Sequence, residues 1–250
     1  MERKWWTLLL VSIATFMLLL DITIVNVALP DIQRDLHASL SSLQWVVDAY
    51  SLMLAAILLT AGSLGDRLGR RRVFTLGFVV FTFASFLCGI SGDPTLLNLA
   101  RGLQGVGGAA MFATSLALIG QEFRGRDRAM AFGVWGAVIG GAVAIGPLVG
   151  GLVTEHLGWQ WIFFINVPIG LIAIALTELR LENVAAQDPE RIDVAGLVTF
   201  SSALFLHHIW PYPRQPRRLE QRHDPCLVDR RRGAAGGIRR DRAPQLPPDA

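Results

Sequence analysis

Six stretches of nearly unbroken apolar residues alternate with short polar links along the chain, at positions 5–29, 45–64, 73–90, 96–119, 129–153 and 159–176. Most hold about 18 to 25 residues, which at about 1.5 Å of rise per residue crosses the roughly 30 Å hydrocarbon layer of a bilayer. A soluble helical bundle would need a polar outward stripe on each helix, and these segments have almost none. The pattern predicts an all-α integral membrane protein with six transmembrane helices. Composition agrees: 52% of the 250 residues are hydrophobic, 17% are charged, and the mean hydropathy is +0.44. A soluble domain carries roughly 25% charge. The opening run MERKWWTLLLVSIATFMLLL has the basic start of a secretory leader, but it shows no small-residue cleavage site and apolar character resumes beyond Asp21. A retained first helix is expected.

The links carry an orientation signal. With the N-terminus inside, nine basic residues fall on one side (Arg3, Lys4, Arg67, Arg70, Arg71, Arg72, Arg124, Arg126 and Arg128) against Arg34 alone on the other. This bias predicts a multi-pass protein of the cell (inner or plasma) membrane with a cytoplasmic N-terminus. Trp5, Trp6, Trp45, Trp159 and Trp161 lie near segment ends, where interfacial indoles are expected. Cys88 and Cys226 form neither a disulfide framework nor a zinc spacing.

Three polar features interrupt the apolar pattern. Asp21 lies inside the first segment, where a charged side chain costs on the order of 2.5–3.5 kcal/mol. Such an acid is paired, protonated or open to a wet cavity; the competing reading is an interfacial acid on a snorkelling turn. Arg101, Gln104, Gly105 and Gly108 stand at i, i+3, i+4 and i+7 in the fourth segment and so share one helix face. Arg101 stays charged and needs an acid, with Asp21 and Asp48 as candidates, unless it anchors at the outer interface instead. For Asp48, pairing with Arg101, binding a cationic substrate and meeting interfacial water are all open. The third feature is the turn GSLGDRLGRRR at 62–72, which sets Asp66 among Arg67, Arg70, Arg71 and Arg72, with Gly62, Gly65 and Gly69 allowing close approach. A bare basic loop would explain the arginines alone, but not their ordered spacing with Asp66 and the glycines.

That ordered turn resembles the loop 2–3 signature of the major facilitator superfamily. The resemblance implies that Gly62, Asp66, Arg67, Gly69, Arg70 and Arg71 form a cytoplasmic latch holding one gate state. LDITIVNVALPDI at 20–32 is similar to the first-helix signature of the fourteen-helix drug:proton antiporters in that superfamily. LNLARGLQGVGGAAM at 97–111 is similar to the fourth-helix signature, whose arginine is implicated in proton coupling. GVWGAVIGGAVAIGPLVGGLV at 133–153 resembles the fifth-helix antiporter signature, which implies a packing role for Gly141, Gly146, Pro147, Gly150 and Gly151. Helix packing alone would also explain these glycines. WQWIFFINVPIG at 159–170 looks like the start of the sixth helix of the same branch. Asp48 departs from the pattern, since a small or hydroxyl residue usually stands there.

The resemblance covers about residues 5–200 and implies proton-coupled efflux of lipophilic, often cationic, compounds by alternating access. Asp21, Arg101 and Asp48 are the proton-coupling candidates. The implied partners are a small-molecule substrate, protons and the lipid bilayer; no cofactor, metal or nucleic acid is implied, and no enzyme signature is present. Residues 1–181 are expected to form the six-helix bundle, and 182–206 a cytoplasmic link with an incomplete seventh helix. A seventh apolar run, VAGLVTFSSALFL at 194–206, would span only about 20 Å as a helix. The last 44 residues hold ten of the arginines, seven of the twelve prolines and no lysine. This composition cannot bury enough apolar surface to fold alone. A regulatory tail that binds anionic lipid, a nucleic-acid-binding tail and an out-of-frame translation all compete for residues 207–250; the abrupt loss of the seventh helix favours the last. The C-terminal half of a complete transporter is expected to be missing. The rival functional readings are a non-transporting fragment or partner subunit, and an uptake carrier of the same superfamily.

Overall fold

In the computed structural model, residues 2–182 together with 199, 202 and 203 are described. The helices are α1 (Arg3–Asp35), α2 (Leu40–Leu68), α3 (Arg70–Gly89), α4 (Pro94–Glu122), α5 (Gly125–Leu157), α6 (Trp161–Phe164) and α7 (Asn166–Arg180). Six segments are long and apolar enough to cross a membrane, the sixth being α6 and α7 taken together. Several helices run well past the apolar stretch that predicts them; α1 has 33 residues because its helix continues into the polar sequence that ends at Asp35. The expected seventh helix and the 207–250 tail lie outside the described residues, apart from positions 199, 202 and 203, which are helical.

Local chemistry ends and starts these helices where the sequence changes character. Ser39 caps α2, its side chain accepting from the Ser42 N–H at 3.2 Å. The Asp93 carboxylate caps α4 by accepting from the N–H groups of Thr95 (2.8 Å) and Leu96 (3.0 Å), with Pro94 at the first helical position. Gly69 alone separates α2 from α3. Its φ of +98° suits glycine and lets one residue end one helix and begin the next. The basic turn of the sequence is therefore a one-residue joint between two membrane helices.

α4 is wedged between α2 and α3, and α1 packs along α5. The wedge depends on two glycines of α4. A Cβ at Gly105 would lie 2.4 Å from the Tyr50 carbonyl oxygen of α2, and one at Gly107 would lie 2.5 Å from the Phe81 nitrogen of α3. α1 and α5 are joined by the Trp135 indole, which donates to Thr15 Oγ1 at 2.8 Å. Trp159, expected at a lipid interface, is instead buried. Its indole donates to Asp35 Oδ2 at 3.0 Å, pinning the start of the sixth span to the end of α1.

The apolar core falls into two clusters. One, near the end that carries Arg3 and Lys4 (the basic end), includes Leu8, Val11, Phe74, Phe78, Ile119 and Phe123. The other includes Ile24, Val25, Ala28, Leu97, Trp159 and Phe163. A set of buried polar side chains lies where the two meet.

Candidate functional site

The polar set is built by five elements. α1 supplies Asp21, α2 supplies Tyr50 and the Val46 carbonyl, α3 supplies Ser85 and Cys88, α4 supplies Arg101 and Gln104, and α7 supplies Asn166. Arg101 and Asp21 form an ion pair with an Nη1–Oδ2 distance of 2.5 Å, and each side chain is only 1% exposed. Arg101 Nη1 also donates to Gln104 Oε1 at 2.7 Å, and its Nε donates to the Val46 carbonyl at 2.9 Å. The Gln104 amide donates to Asp21 Oδ1 and to Ser85 Oγ, both at 2.9 Å. Asn166 Nδ2 reaches Asp21 Oδ1 at 3.4 Å. The carboxylate thus accepts from three side chains on two other helices. Deep in a low-dielectric interior such a pair is tolerated because Asp21 Oδ1 and Arg101 Nε are also hydrogen-bonded.

Of the two acids offered to Arg101 by the sequence, Asp21 is the one that pairs with it. Asp48 is half-buried on α2 and lines a cleft of about 380 Å³ with Leu29, Leu40, Leu43, Gln44 and Val47. Arg101 is not an interfacial anchor, because it lies wholly inside the protein. Three neighbours escaped the sequence reading. The Tyr50 ring lies 4.3 Å from the Arg101 guanidinium carbon and the Phe163 ring lies 5.9 Å from it. Asn166 closes the network from α7. A signal for Asn166 was present, since it interrupts the apolar run FFINVPIG; nothing local marks Tyr50 or Phe163.

At the basic end the 62–72 turn is held by α3 itself and by its neighbours. Asp66 accepts from Arg70 at 3.0 and 3.2 Å, a pair one helical turn apart across the Gly69 joint. Arg70 also donates to the Ala117 carbonyl (2.9 Å) and to Gln121 (3.3 Å) near the end of α4. Arg71 pairs with Glu178 of α7 and donates to the Leu181 carbonyl at 3.0 Å, while Thr75 donates to Glu178 at 2.8 Å. Arg67 is exposed and makes no ion pair among the described residues. A second set of ties holds the start of α1: Arg3 pairs with Glu122 at 3.2 Å and with Glu182, and Lys4 pairs with Asp127 at 3.1 Å. The acids Glu122, Asp127, Glu178 and Glu182 were not singled out in the sequence, because ordinary polar links contain such residues. Gly62 and Gly65 face α4, where a Cβ at Gly65 would sit 3.1 Å from Thr114 Cγ2.

The α5 glycines divide into two groups. A Cβ at Gly146 would lie 1.9 Å from Thr23 Oγ1, and one at Gly150 would lie 3.2 Å from the Ile24 Cα, so these two seat α5 against α1. Gly136, Gly140, Gly141 and Gly151 have open space where a Cβ would stand, and Pro147 is exposed. Among the described residues, close packing by these α5 glycines is therefore confined to the first pair.

Together these features define a polytopic helical membrane protein that encloses a buried, hydrogen-bonded ion pair within its spans. Residues 11–224 match the model of the Major Facilitator Superfamily, and the chain belongs to that family. That family is one of transporters rather than enzymes. Its relatives include the tetracenomycin C resistance and export protein of Streptomyces glaucescens, 44% identical over 81% of this chain and 38% of the relative. The riboflavin transporter RibZ of Clostridioides difficile is 40% identical over 82% of this chain and 45% of its own length. The multidrug resistance protein Stp of Mycobacterium tuberculosis is 40% identical over 79% and 37%. The chain spans less than half the length of these relatives.

Proposed function

We propose that the chain is the proton-handling bundle of an exporter that exchanges protons for lipophilic, often cationic, compounds by alternating access. The observation that carries this reading is the buried Asp21–Arg101 pair inside the spans. A titratable acid at such a depth is expensive and is by default functional. A proton arriving at Asp21 removes the charge that offsets Arg101 and forces the α1–α4 contact to find a new balance, which supplies a driving force for a change of state. The names of the tetracenomycin C and multidrug resistance relatives support export as the direction.

In this reading the basic end faces the cytoplasm of a cell-membrane protein. Asp66, Arg70 and Arg71 act there as a latch that parts and re-forms as the gate moves, with Arg67 free to take a partner in another state. Gly146 and Gly150 hold α5 on α1, while Gly141, Pro147 and Gly151 serve a surface beyond this bundle. Residues 1–181 form the bundle. Transport requires a second bundle, since substrate sites of secondary transporters lie between two halves near the bilayer midplane. The riboflavin transporter favours a second reading, a carrier for a nutrient on the same scaffold.

The test is substrate-dependent proton release from energised vesicles that contain the bundle within a full-length homologous transporter. Substrate is expected to release protons from the parent and not from the Asp21→Asn variant. Undiminished exchange in that variant would refute proton coupling at Asp21, and transport with no proton movement would favour the nutrient carrier.

A further inference from the structure

Arg101 has a partner that the proton-exchange reading leaves unused. The Tyr50 ring lies 4.3 Å from its guanidinium carbon, on the side contributed by α2, and Phe163 of α6 adds a second ring at 5.9 Å. Both rings are buried, at 1% and 0% exposure, so water does not screen the contact. The ring of Tyr50 is fixed by its surroundings: a Cβ at Gly105 would meet the Tyr50 backbone, and one at Gly108 would lie 3.3 Å from its hydroxyl. The hydroxyl itself is buried and has no hydrogen-bond partner among the described residues. What Tyr50 offers Arg101 is therefore the face of its ring.

Resting on the proton-coupling reading above, we propose that Tyr50 is a positioning residue for the proton step, its ring being the partner Arg101 keeps when Asp21 takes up a proton. The step balances simply. A proton from water joins an Asp21 carboxylate oxygen, no other bond breaks, and the pair gains one positive charge. Arg101 then retains two neutral acceptors, the Val46 carbonyl and Gln104 Oε1, but no ion pair among the described residues. While the carboxylate is charged, it cancels most of the guanidinium field at the ring. Once the carboxylate is neutral, the ring quadrupole faces an uncompensated cation in a dry site, where cation–ring attraction is greatest. The ring thus favours the protonated state over the unprotonated one, and it keeps Arg101 in place so that the pair re-forms when the proton leaves. The other titratable groups around Arg101 are Asp21 on α1 and Cys88 on α3, whose thiol lies 3.7 Å from Gln104 Oε1. Asp48 of α2 lies two residues before Tyr50, in its own cleft, while α6 and α7 contribute Phe163 and Asn166, which do not titrate.

The test uses the 250-residue chain in bilayer nanodiscs. The infrared stretch of a protonated carboxyl is followed against pH, and the Asp21 band is identified as the one that Asp21→Asn removes. Removing the ring face with Tyr50→Leu or Tyr50→Met is expected to lower the midpoint by about one pH unit, a tenfold loss of proton affinity. Tyr50→Phe keeps the face and is expected to leave the midpoint in place, and Phe163→Leu to move it less than Tyr50→Leu does. Helical circular dichroism checks that each variant is folded; the Met and Phe163 variants carry the test where Leu is too small to hold the α2–α4 contact. A wild-type midpoint in the Tyr50→Leu and Tyr50→Met variants, or an equal shift in Tyr50→Phe, overturns the role of the ring and leaves proton binding at Asp21 standing. Absence of any Asp21 band across the accessible pH range overturns both.

Discussion

Replacing Asp21 by leucine isolates the energetic weight of the buried pair. The substitution removes the only anion bonded to Arg101 among the described residues, and the Arg101 side chain is 1% exposed. It also strips Asn166 and Gln104 of the acceptor they share, although Gln104 keeps its bond to Ser85. Breaking a buried pair from one side costs about 3–5 kcal/mol, because a charge is left uncompensated in a medium that cannot solvate it. Arg101→Met is expected to cost a similar amount, by leaving the carboxylate with amide donors alone. Removing both partners exchanges two desolvated charges for apolar volume, which is often neutral or stabilising. The double variant is therefore expected to lie within about 2 kcal/mol of the parent, and a double-mutant cycle to return a coupling of at least about 3 kcal/mol. The measurement is reversible unfolding of the 250-residue chain in mixed micelles, followed by helical circular dichroism against denaturant. If each single variant costs below about 1 kcal/mol, or if the two losses simply add, the pair is not the buried, mutually dependent unit described above.

Other expectations follow from packing and from charge. Gly105→Ala is expected to destabilise by about 1–3 kcal/mol, since its Cβ would meet the Tyr50 carbonyl oxygen at 2.4 Å and backbone must yield. Gly141→Ala, with open space at the same position, is expected to stay within about 0.5 kcal/mol; equal effects in micelle unfolding would contradict the α2–α4 wedge. Gly69→Ala should strain the joint between α2 and α3, because φ there is +98°, and a higher helical unfolding midpoint than the parent would refute that geometry. Asp66→Asn is expected to change stability by less than about 1 kcal/mol, as the Asp66 side chain is 49% exposed and its pair with Arg70 is solvent-screened. In a full-length homologue the same change is expected to alter transport rate, and an unaltered rate would remove Asp66 from the latch.

Much of the fold was legible because helix formation across a membrane is a local matter. A run of apolar residues of bilayer length must bond its own backbone, so composition and length alone mark the spans. The polar interruptions were legible for the same reason: Asp21 and Arg101 stand out against hydrocarbon-compatible neighbours, and the i, i+3, i+4 spacing places Arg101, Gln104 and Gly105 on one face without reference to any other helix. Caps such as Asp93-Pro94 belong to this class too.

What the sequence left open concerns partners. Asp21 and Asp48 were both candidates for Arg101, and only the crossing of α1 over α4 brings residues 80 positions apart to 2.5 Å. Tyr50 and Phe163 read as ordinary core aromatics until α2 and α6 place them beside a guanidinium. Trp159 looked like an interfacial indole and is a buried donor to Asp35. Gly136/Gly140 and Gly146/Gly150 are both four apart along α5, yet Gly146 and Gly150 meet α1 while Gly136 and Gly140 have open space where a Cβ would stand. By itself the sequence determined the spans, the basic end and the charged residues within the apolar runs, because each depends on neighbours along one helix. The tertiary structure decided which of those residues touch, because contacts between helices depend on how side-chain volumes fit across their crossings, and that fit has no counterpart in spacing along the chain.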